Sequence, residues 1–349
     1  MIDRELQRFI GSSAITVLEA MQKIDANTFG ILMISDENGK LVGCLTDGDI
    51  RRYLLSGGQL DSNVIEAANM SPKYARTLDE AETLFHNKNY IAIPILDEEG
   101  KVVSVYLGNG EIEIPKVSLN VPVVINAGGK GTRLDPYTRV LPKPLIPIGE
   151  LPIIEHIMQR FIGYDCTKFH IIVNYKKQIM KGYFAEKEDH YDISWYDEEK
   201  PLGTGGGLTL LKGKLHEAFF FTNCDNLLLS NYDSIIRFHK EHKNVITMIC
   251  AYKNIQIPYG VVEMGIDGVI KEMKEKPQLS FLTNTGIYVV EPEVLDDMED
   301  DMAVGFPDIV LQQKEKGRNV TIYPVSENDW LDMGQLPEME KMRIKLYGE

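Results

Sequence analysis

A glycine-rich segment follows a run of apolar residues in the middle of the chain. It reads Ala127-Gly-Gly-Lys-Gly-Thr-Arg-Leu134. Glycines allow backbone N–H groups to approach a phosphate closely, and Lys130, Arg133 and the downstream Lys143 supply positive charge. This combination predicts a loop that binds a polyphosphate, although a glycine turn with solvated basic residues has the same composition.

Two common phosphate-binding loops do not match this segment. The dinucleotide-binding fingerprint requires a third glycine where Leu134 stands. The Walker loop requires a Gly-Lys-Ser/Thr sequence, which the segment lacks. If the loop binds phosphate, it therefore belongs to a different class of phosphate-binding site.

The composition is that of a folded chain of ordinary polarity. Its 349 residues suggest roughly two domains at about 150 residues each, and 44% hydrophobic with 26% charged residues is typical of globular proteins. The net charge of -15 disfavours nucleic acids and anionic membranes as partners, but a local basic cluster can still attract a small anion. The four cysteines are far apart and predict neither disulfides nor a zinc site; they are Cys44, Cys166, Cys224 and Cys250. Because the sequence shows no apolar leader and no apolar membrane span, we expect a cytoplasmic protein.

The first third of the chain repeats itself at a constant offset, so that Gly39 corresponds to Gly100. Each copy has the pattern of a helix, an apolar strand, an acidic turn and a second apolar strand. One such unit cannot bury both faces of a short sheet, whereas two units can cover each other. We therefore expect residues 1–112 to form one domain from two copies.

A second domain is predicted after a short linker. The repeat ends after Gly110, and the segment 113–120 contains Pro115 and mixed charge, which is typical of a linker. Between residues 121 and 349, apolar strands alternate with helical stretches, which predicts an α/β domain with a mostly parallel sheet. Ligands bind such sheets beyond the carboxyl ends of the strands, so the glycine loop is expected at that edge.

Seven motifs resemble, in order, those of sugar-1-phosphate nucleotidyltransferases. They are Gly128-Gly-x-Gly-x-Arg-Leu, Lys143-Pro, Pro201-Leu-Gly-Thr-Gly-Gly, Asn223-Cys-Asp225, Glu275-Lys-Pro277, Asn284-Thr-Gly-Ile-Tyr288 and Trp330-Leu-Asp-Met-Gly334. The resemblance implies a Rossmann-like, mostly parallel mixed sheet, the nucleotidyltransferase fold, over about residues 121–349. The N-terminal repeat resembles a tandem CBS (Bateman) module, more closely in the first copy, which contains Gly43-Cys-Leu-Thr-Asp-Gly-Asp-Ile-Arg-Arg-Tyr-Leu54, than in the second.

The resemblance implies that a phosphate oxygen of a sugar 1-phosphate attacks the α-phosphorus of a nucleoside triphosphate in line and releases pyrophosphate. Such a reaction asks the protein to align the reactants and to neutralise charge. The catalytic residues implied are Arg133, at the leaving pyrophosphate, and Lys143, near the α-phosphate. The nucleotide-binding residues implied are Ala127, Gly128, Gly129, Gly131, Thr132, Glu198, Gly203 and Thr204.

Two aspartates are assigned to a metal by the same resemblance. Asp225 ends an apolar run and Asp332 follows Trp330 closely, places where a single carboxylate usually caps a turn or a helix. In the family the matching pair holds Mg²⁺ between the phosphates of both substrates, so magnesium is the expected cofactor. His239 and His242 share a helix face but lack a third ligand, and are interpreted as a solvated helix end rather than a zinc site.

The base is inferred from Glu198, which precedes Gly203 at the position where relatives that use uracil or thymine carry glutamine. A carboxylate only accepts hydrogen bonds, and guanine offers N1–H and an amino group as adjacent donors. GTP is therefore favoured, with CTP or UTP as the alternative. If Glu198 is instead a solvated loop acid, it carries no information about the base.

The sugar-phosphate residues implied by the motifs are Gly260, Glu275, Lys276 and Asn284. CBS repeats fused to this enzyme occur in bacterial surface-glycan pathways, so glucosamine 1-phosphate or a related hexose or heptose 1-phosphate is the expected acceptor. Composition alone names no sugar.

The role of the CBS pair has two interpretations. Thr46 and Asp49 stand where family members contact the ribose of an adenine nucleotide, while the second copy has Leu107 and Gly110 there. The module thus offers at most one nucleotide site, or it serves only to dimerise the protein, and we expect a homo-oligomer, dimer or higher. A regulatory protein without turnover is the remaining alternative, but inactive relatives should lose the metal aspartates or Arg133, and all are present.

Overall fold

The chain divides into two compact units, Met1–Lys116 and Val117–Glu349. The computed structural model describes residues 4–27, 29–87, 90, 92–107, 118–187 and 191–347. Of the linker predicted at 113–120, residues 113–117 lie outside these ranges. No helix within the described ranges is both long enough and apolar enough to span a bilayer.

The N-terminal unit is built from short helices and strands. They are α1 (Arg4–Gln7), β1 (Ile10–Ser12), α2 (Val17–Asn27), β2 (Ile31–Ser35), β3 (Leu41–Thr46), α3 (Asp47–Leu55), α4 (Leu78–Asn87), β4 (Ile93–Leu96) and β5 (Val102–Tyr106). Strands β1, β2 and β3 form one sheet, and β4 pairs with β5 in another. In α2 the buried Val17, Ala20, Met21 and Ile24 recur at helical spacing, so one face of the helix is packed in the core.

The two copies of the repeat make the same turn between their strands. The Gly39 N–H donates to the Asp36 carbonyl at 3.0 Å, and the Gly100 N–H donates to the Asp97 carbonyl at 3.1 Å. Both glycines have a left-handed φ, 79° and 85°, which disfavours a side chain. Residues from both copies share one apolar cluster, whose buried members are Ile31, Met33, Ala92, Leu96 and Val102.

The C-terminal unit contains one large sheet, several two-stranded sheets and six helices within its described ranges. Its strands are β6 (Val123–Asn126), β7 (Pro147–Ile148), β8 (Leu151–Pro152), β9 (Lys168–Val173), β10 (Asp192–Asp197), β11 (Phe219–Asn223), β12 (Asn226–Leu228), β13 (Ile246–Gln256), β14 (Val261–Met264), β15 (Ile270–Lys274), β16 (Gln278–Val290), β17 (Val320–Val325) and β18 (Trp330–Asp332). Its helices are α5 (Ile153–Ile162), α6 (Lys177–Ala185), α7 (Tyr232–Glu241), α8 (Glu293–Asp296), α9 (Phe306–Glu315) and α10 (Leu336–Tyr347).

The large sheet has seven strands in the order β10-β9-β6-β11-β16-β13-β17. All neighbours are parallel except β16, which is antiparallel to both β11 and β13. The predicted mostly parallel mixed sheet is therefore confirmed. Because β6, β9, β10 and β11 run in the same direction, the segments that follow Asn126, Val173, Asp197 and Asn223 meet at one edge of the sheet.

His239 corrects one expectation from the sequence. The side chain is fully buried rather than part of a solvated helix end. Its Nδ1 lies 2.8 Å from Thr247 Oγ1, and its Nε2 lies 3.2 Å from Glu291 Oε1. The reason is helical spacing, since His239 lies one turn after the buried Ile235 and Ile236 and so shares their buried face of α7.

Candidate active site

Two short strands bring the predicted metal-binding aspartates together. Asp225 directly precedes β12, Asp332 ends β18, and Asn226 pairs with Asp332 in antiparallel register. The Met333 N–H donates to the Asp225 carbonyl at 2.9 Å. Burial and the charge of Asp225 raise the pKa of the Asp332 carboxyl, as expected when two acids share a poorly hydrated place.

Positive side chains face this pair of acids. Lys143 forms an ion pair with Asp225, and the two side chains are only 10% and 14% exposed. The charges of Lys143 and Arg133 lower the pKa of Asp332, opposing the effect of burial. Arg133 thus acts on Asp332 although its own side chain is exposed. The structure brings both predicted catalytic residues and both predicted metal ligands to one place.

The aspartate pair fits a divalent cation. Carboxylate oxygens are hard ligands, and Mg²⁺ typically binds one or two of them together with substrate phosphates. A cation between the two acids would relieve the repulsion that contributes to the raised pKa of Asp332. The chemistry of the donors therefore agrees with the magnesium site expected from the sequence.

The glycine loop leaves the sheet at the end of β6. The Ala127 N–H donates to the Ile172 carbonyl at 2.8 Å, which anchors the start of the loop to β9. Gly131 has a φ of 67°, and a Cβ there would lie 2.9 Å from Lys143 Cβ. Only glycine fits this close approach, so the loop can pass directly over the lysine. Gly129 and Thr132 are exposed.

Asn126 joins the glycine loop to the other nucleotide-binding segment predicted from the sequence. Its Oδ1 accepts from the Gly128 N–H at 3.4 Å, and its Nδ2 donates to the Thr204 carbonyl at 3.2 Å. Asn126 is a positioning residue that lies outside the motifs identified in the sequence. The available signal was an amide side chain at the end of an apolar strand, directly before the glycines.

The segment around Gly203 packs against the start of α9. Gly203 has a φ of 80°, and a Cβ there would lie 2.6 Å from the Val304 carbonyl oxygen. Thr204 Oγ1 accepts from the Phe306 N–H at 3.0 Å, which anchors the segment to the first turn of α9. The Thr204 hydroxyl keeps its own O–H donor, so both it and the backbone of the segment could contact a nucleotide.

Glu198 lies buried between two glycines, directly after β10. Its residue is 4% exposed, whereas the neighbouring Glu199 is solvated. A Cβ on Gly128 would lie 2.7 Å from Glu198 Oε2, and a Cβ on Gly207 would lie 2.6 Å from Oε1. The interpretation of Glu198 as a solvated loop acid is therefore wrong.

One oxygen of the Glu198 carboxyl group is a hydrogen-bond acceptor without a donor among the described residues. Its Oε1 has no hydrogen-bond partner within the described ranges. Burial raises the pKa of this carboxyl to about 7, and a backbone hydrogen bond from Leu202 counteracts the effect in part. A buried acceptor of this kind is stabilised by a ligand that brings N–H donors.

The predicted sugar-phosphate residues fall in two places. Gly260, Glu275 and Lys276 are exposed and flank the β14–β15 hairpin, where Glu275 Oε2 lies 2.9 Å from a Cβ built on Gly260. Asn284 lies within β16; its Oδ1 accepts from the Gly286 N–H at 2.9 Å, and its Nδ2 donates to Tyr288 Oη at 2.6 Å. Both polar atoms of the Asn284 side-chain amide thus form hydrogen bonds within the protein.

A cavity of about 410 Å³ lies between the two copies in the N-terminal unit. This volume is in the range of small-molecule sites. Its walls come from both copies and include basic side chains that would suit an anion; the lining residues are Ile31, Met33, Cys44, Thr46, Asp49, Arg52, Asn69, Ser71, Lys73, Tyr90, Ala92 and Pro94.

Both CBS residues predicted to contact a nucleotide line this cavity. Thr46 caps α3, where the Asp49 N–H donates to Thr46 Oγ1 at 3.2 Å and the Thr46 hydroxyl donates to Asp49 Oδ2 at 2.6 Å. Arg52 forms an ion pair with Asp49. In the second copy, Leu107 packs against the shared apolar cluster, and Gly110 lies outside the described residues.

Comparison with known proteins agrees with this arrangement. The profile of the nucleotidyl transferase family matches residues 122–346, and that of the CBS domain matches residues 12–56. Similar proteins include the mannose-1-phosphate guanyltransferase of Pichia angusta, 32% identical over 226 residues, or 61% of this chain and 60% of that protein. Another is the bifunctional protein GlmU of Methanococcus maripaludis, 35% identical over 182 residues, or 50% of this chain and 41% of that protein. The chain thus spans less than two thirds of the length of these relatives.

Solved structures share the fold of the C-terminal unit. The crystal structure of HddC from Yersinia pseudotuberculosis aligns with a TM-score of 0.52 at 20% identity, covering 65% of this chain and 99% of that one. This likeness concerns the fold, while the family profile covers well over half of the chain. The chain belongs to the nucleotidyl transferase family and carries a CBS domain at its N-terminus.

Proposed function

We propose that the protein transfers a nucleotidyl group from a nucleoside triphosphate, preferentially GTP, to a sugar 1-phosphate and releases pyrophosphate. The observation that carries the proposal is the adjacency of Asp225 and Asp332 across β12 and β18, with Lys143 ion-paired beside them. Relatives named mannose-1-phosphate guanyltransferase support the reaction class. Glucosamine 1-phosphate or a related hexose or heptose 1-phosphate is the proposed acceptor.

The side chains of the site can neutralise the charge on both reactants. Asp225 and Asp332 would hold a divalent cation, proposed to be magnesium, which supplies positive charge to the phosphates of both substrates. The ion pair with Asp225 holds the Lys143 ammonium group in a mostly buried position beside the proposed metal site, where it would neutralise charge on the α-phosphate. Arg133, at the end of the glycine loop, balances the charge that develops on the leaving pyrophosphate.

A release assay for pyrophosphate tests this proposal. Four nucleoside triphosphates are crossed with glucosamine, mannose and heptose 1-phosphates in the presence of Mg²⁺. We expect release with GTP and one of the sugar phosphates. No release with any pair would favour the regulatory alternative, and release with CTP or UTP but not GTP would contradict the assignment of the base.

The preference for guanine makes GTP binding dependent on pH. Only the ionised Glu198 carboxylate can accept from both guanine donors, and its pKa is raised to about 7. The ionised fraction falls about tenfold between pH 8 and pH 6, so we expect the Kd for GTP to rise by about the same factor. Calorimetric titration without sugar phosphate measures this.

Titrating E198Q over the same range provides the control, because the triphosphate itself also changes charge near neutral pH. The variant should show only the part of the pH dependence that comes from the ligand. An identical slope in the wild type and in E198Q would show that Glu198 does not bind the base.

A second activity, binding of an adenine nucleotide by the N-terminal unit, is proposed from the 410 Å³ cavity. Thr46 and Asp49 face it, and Arg52 and Lys73 would attract phosphates. We expect T46A to weaken binding of ATP, ADP or AMP about fivefold, corresponding to the loss of about one hydrogen bond. Binding is measured by calorimetry on the full chain.

T77A is the matched control for loss of the cap. Thr77 is the counterpart of Thr16 in the second copy, and its Oγ1 accepts from the Glu80 N–H at 3.2 Å at the start of α4. The substitution removes a cap hydroxyl in the second copy without touching the cavity wall. Equal affinity of the wild type and of T46A for the adenine nucleotide would indicate that the N-terminal unit serves only as a structural scaffold.

A further inference from the structure

One segment of the C-terminal unit exposes an unusual amount of apolar surface. Half of the large apolar side chains exposed on the described residues, 12 of 24, lie between Ile255 and Leu282. We call residues 255–282 the arm; it comprises the end of β13, the β14–β15 hairpin and the start of β16. Scattered exposed apolar residues are ordinary on proteins, but a concentration of this kind marks an interaction surface.

The hairpin in the arm is amphipathic although neither of its faces is buried. Cross-strand partners share a face, and Val262 pairs with Met273 while Met264 pairs with Ile270. These four side chains are between 51% and 75% exposed. The other face carries the pairs Val261–Lys274 and Glu263–Glu272. An isolated two-stranded sheet is at best marginally stable in water, so the apolar face needs a cover.

The charge of the arm indicates what covers it. The arm contains three lysines and four acids, a net charge of -1 in a chain of net charge -15. Lys271 pairs with Glu263, and Lys274 pairs with Glu272 at 3.1 Å, so acids of the hairpin are balanced locally. An anionic membrane or a strongly basic partner would select an excess of one sign. Two copies of an acidic chain repel each other least where the surface is close to neutral, as it is in the arm.

The size of the arm also fits a second copy. A stable interface of standard size uses about 20–30 residues from each partner. The 12 exposed apolar side chains of the arm would supply about half of such a patch, and they continue from the hairpin onto the paired ends of β13 and β16, where Ile255 faces Leu279. In a two-fold dimer each partner contributes the same patch of surface. An apolar patch whose positive and negative charges nearly cancel can therefore pack against a copy of itself.

We propose that the apolar face of the β14–β15 hairpin binds the same face of a second copy of this chain. A consequence, which rests on the proposed function, is that the dimer orders the segment that carries Gly260, Glu275 and Lys276. Because the oligomeric state is measured without substrate, failure of this proposal is distinguishable from failure of the proposed reaction.

Sedimentation velocity of the full chain tests the proposal. The variant M264E/I270E places four acids across the two-fold contact, and because both side chains are exposed, folding should be unaffected. We expect its dissociation constant to rise about 100-fold or more relative to the wild type. V140E is the matched control, since Val140 is equally exposed but lies outside the arm.

Mixing supplies the complementary measurement. M264K/I270K should also dissociate alone, whereas an equimolar mixture of the acidic and basic variants should regain the wild-type mass. A monomeric wild type, or variants that retain the wild-type mass, would overturn the proposal. If a monomeric wild type also protected the hairpin amides from hydrogen exchange, another part of the same chain would be the cover.

Discussion

Asp225→Asn is expected to reduce turnover roughly 10²- to 10³-fold, because the proposed metal would lose one of its two carboxylate ligands and the charge stabilisation that such a metal supplies is worth several kcal/mol. Asparagine has nearly the same shape as aspartate, and the backbone of the site is held independently by the Met333–Asp225 hydrogen bond. Lys143 loses its ion pair with Asp225 but keeps the charge of Asp332 nearby, so the loss of charge should act more on chemistry than on folding. Steady-state rates of pyrophosphate release measure the effect, together with the Mg²⁺ concentration needed for half-maximal rate, which we expect to rise.

Asp297→Asn is the matched control for the lost ion pair. Asp297 lies 3.2 Å from Lys316 and 2.7 Å from Arg318. Burial opposes ionisation, but these positive groups and a hydrogen bond from Gln313 hold the pKa of its carboxyl below its usual range. The substitution removes an ion-paired aspartate from the same unit but none from the proposed site. Both variants should unfold at a somewhat lower temperature, Asp225→Asn the more so because its ion pair is more buried, but only Asp225→Asn should lose activity. A rate near that of the wild type in Asp225→Asn would show that the metal is held elsewhere.

The glycine loop and its place at the carboxyl edge of a mostly parallel sheet could be predicted because they follow from local patterns. An apolar run such as Val123–Asn126, followed by glycines and basic residues, defines a strand end and a turn without knowledge of the rest of the chain. Parallel strands then require the loop to lie at their carboxyl edge. The position of the loop and the parallel sheet both follow from the spacing of apolar residues along the chain and from the direction of the strands.

The meeting of the two aspartates could not be derived in this way. Asp225 and Asp332 are brought together by β12 and β18, two strands of three residues each, which are too short to produce a periodic signal. Before the structure, only the resemblance to the family motifs indicated that these two aspartates belong to one site.

Burial of polar side chains was the other feature that the sequence could not predict. Glu198 follows a mixed, half-exposed strand, and its burial arises from the approach of Gly128 and Gly207 from different segments. For His239, the place on the buried face of α7 follows from helical spacing, but its partners Thr247 and Glu291 come from other elements and could not be predicted. Polar residues have no hydropathy signal for burial, so the tertiary arrangement decides.

Glu198→Gln is expected to change the base preference by about 10- to 100-fold, from GTP toward UTP or dTTP. A glutamine amide offers one donor and one acceptor, which match the O4 and N3–H of uracil but oppose one of the two guanine donors. A bidentate contact of this kind discriminates between bases by about 1–3 kcal/mol. The ratio of kcat/KM for GTP to that for UTP measures the change, with the sugar phosphate held constant.

The same substitution has a predicted effect on stability that does not depend on substrate. The raised pKa of Glu198 means that the folded protein binds this proton more tightly than the unfolded chain does, so its contribution to stability is present at acidic pH and lost as pH rises through about 7. Glutamine cannot ionise, and the Tm of E198Q should fall less than that of the wild type between pH 5 and pH 8. E199Q should behave as the wild type in both tests, because Glu199 is solvated. If E198Q altered the pH dependence of Tm but not the base ratio, Glu198 would be a buried structural acid, and the preference for guanine would have to come from the backbone around Gly203.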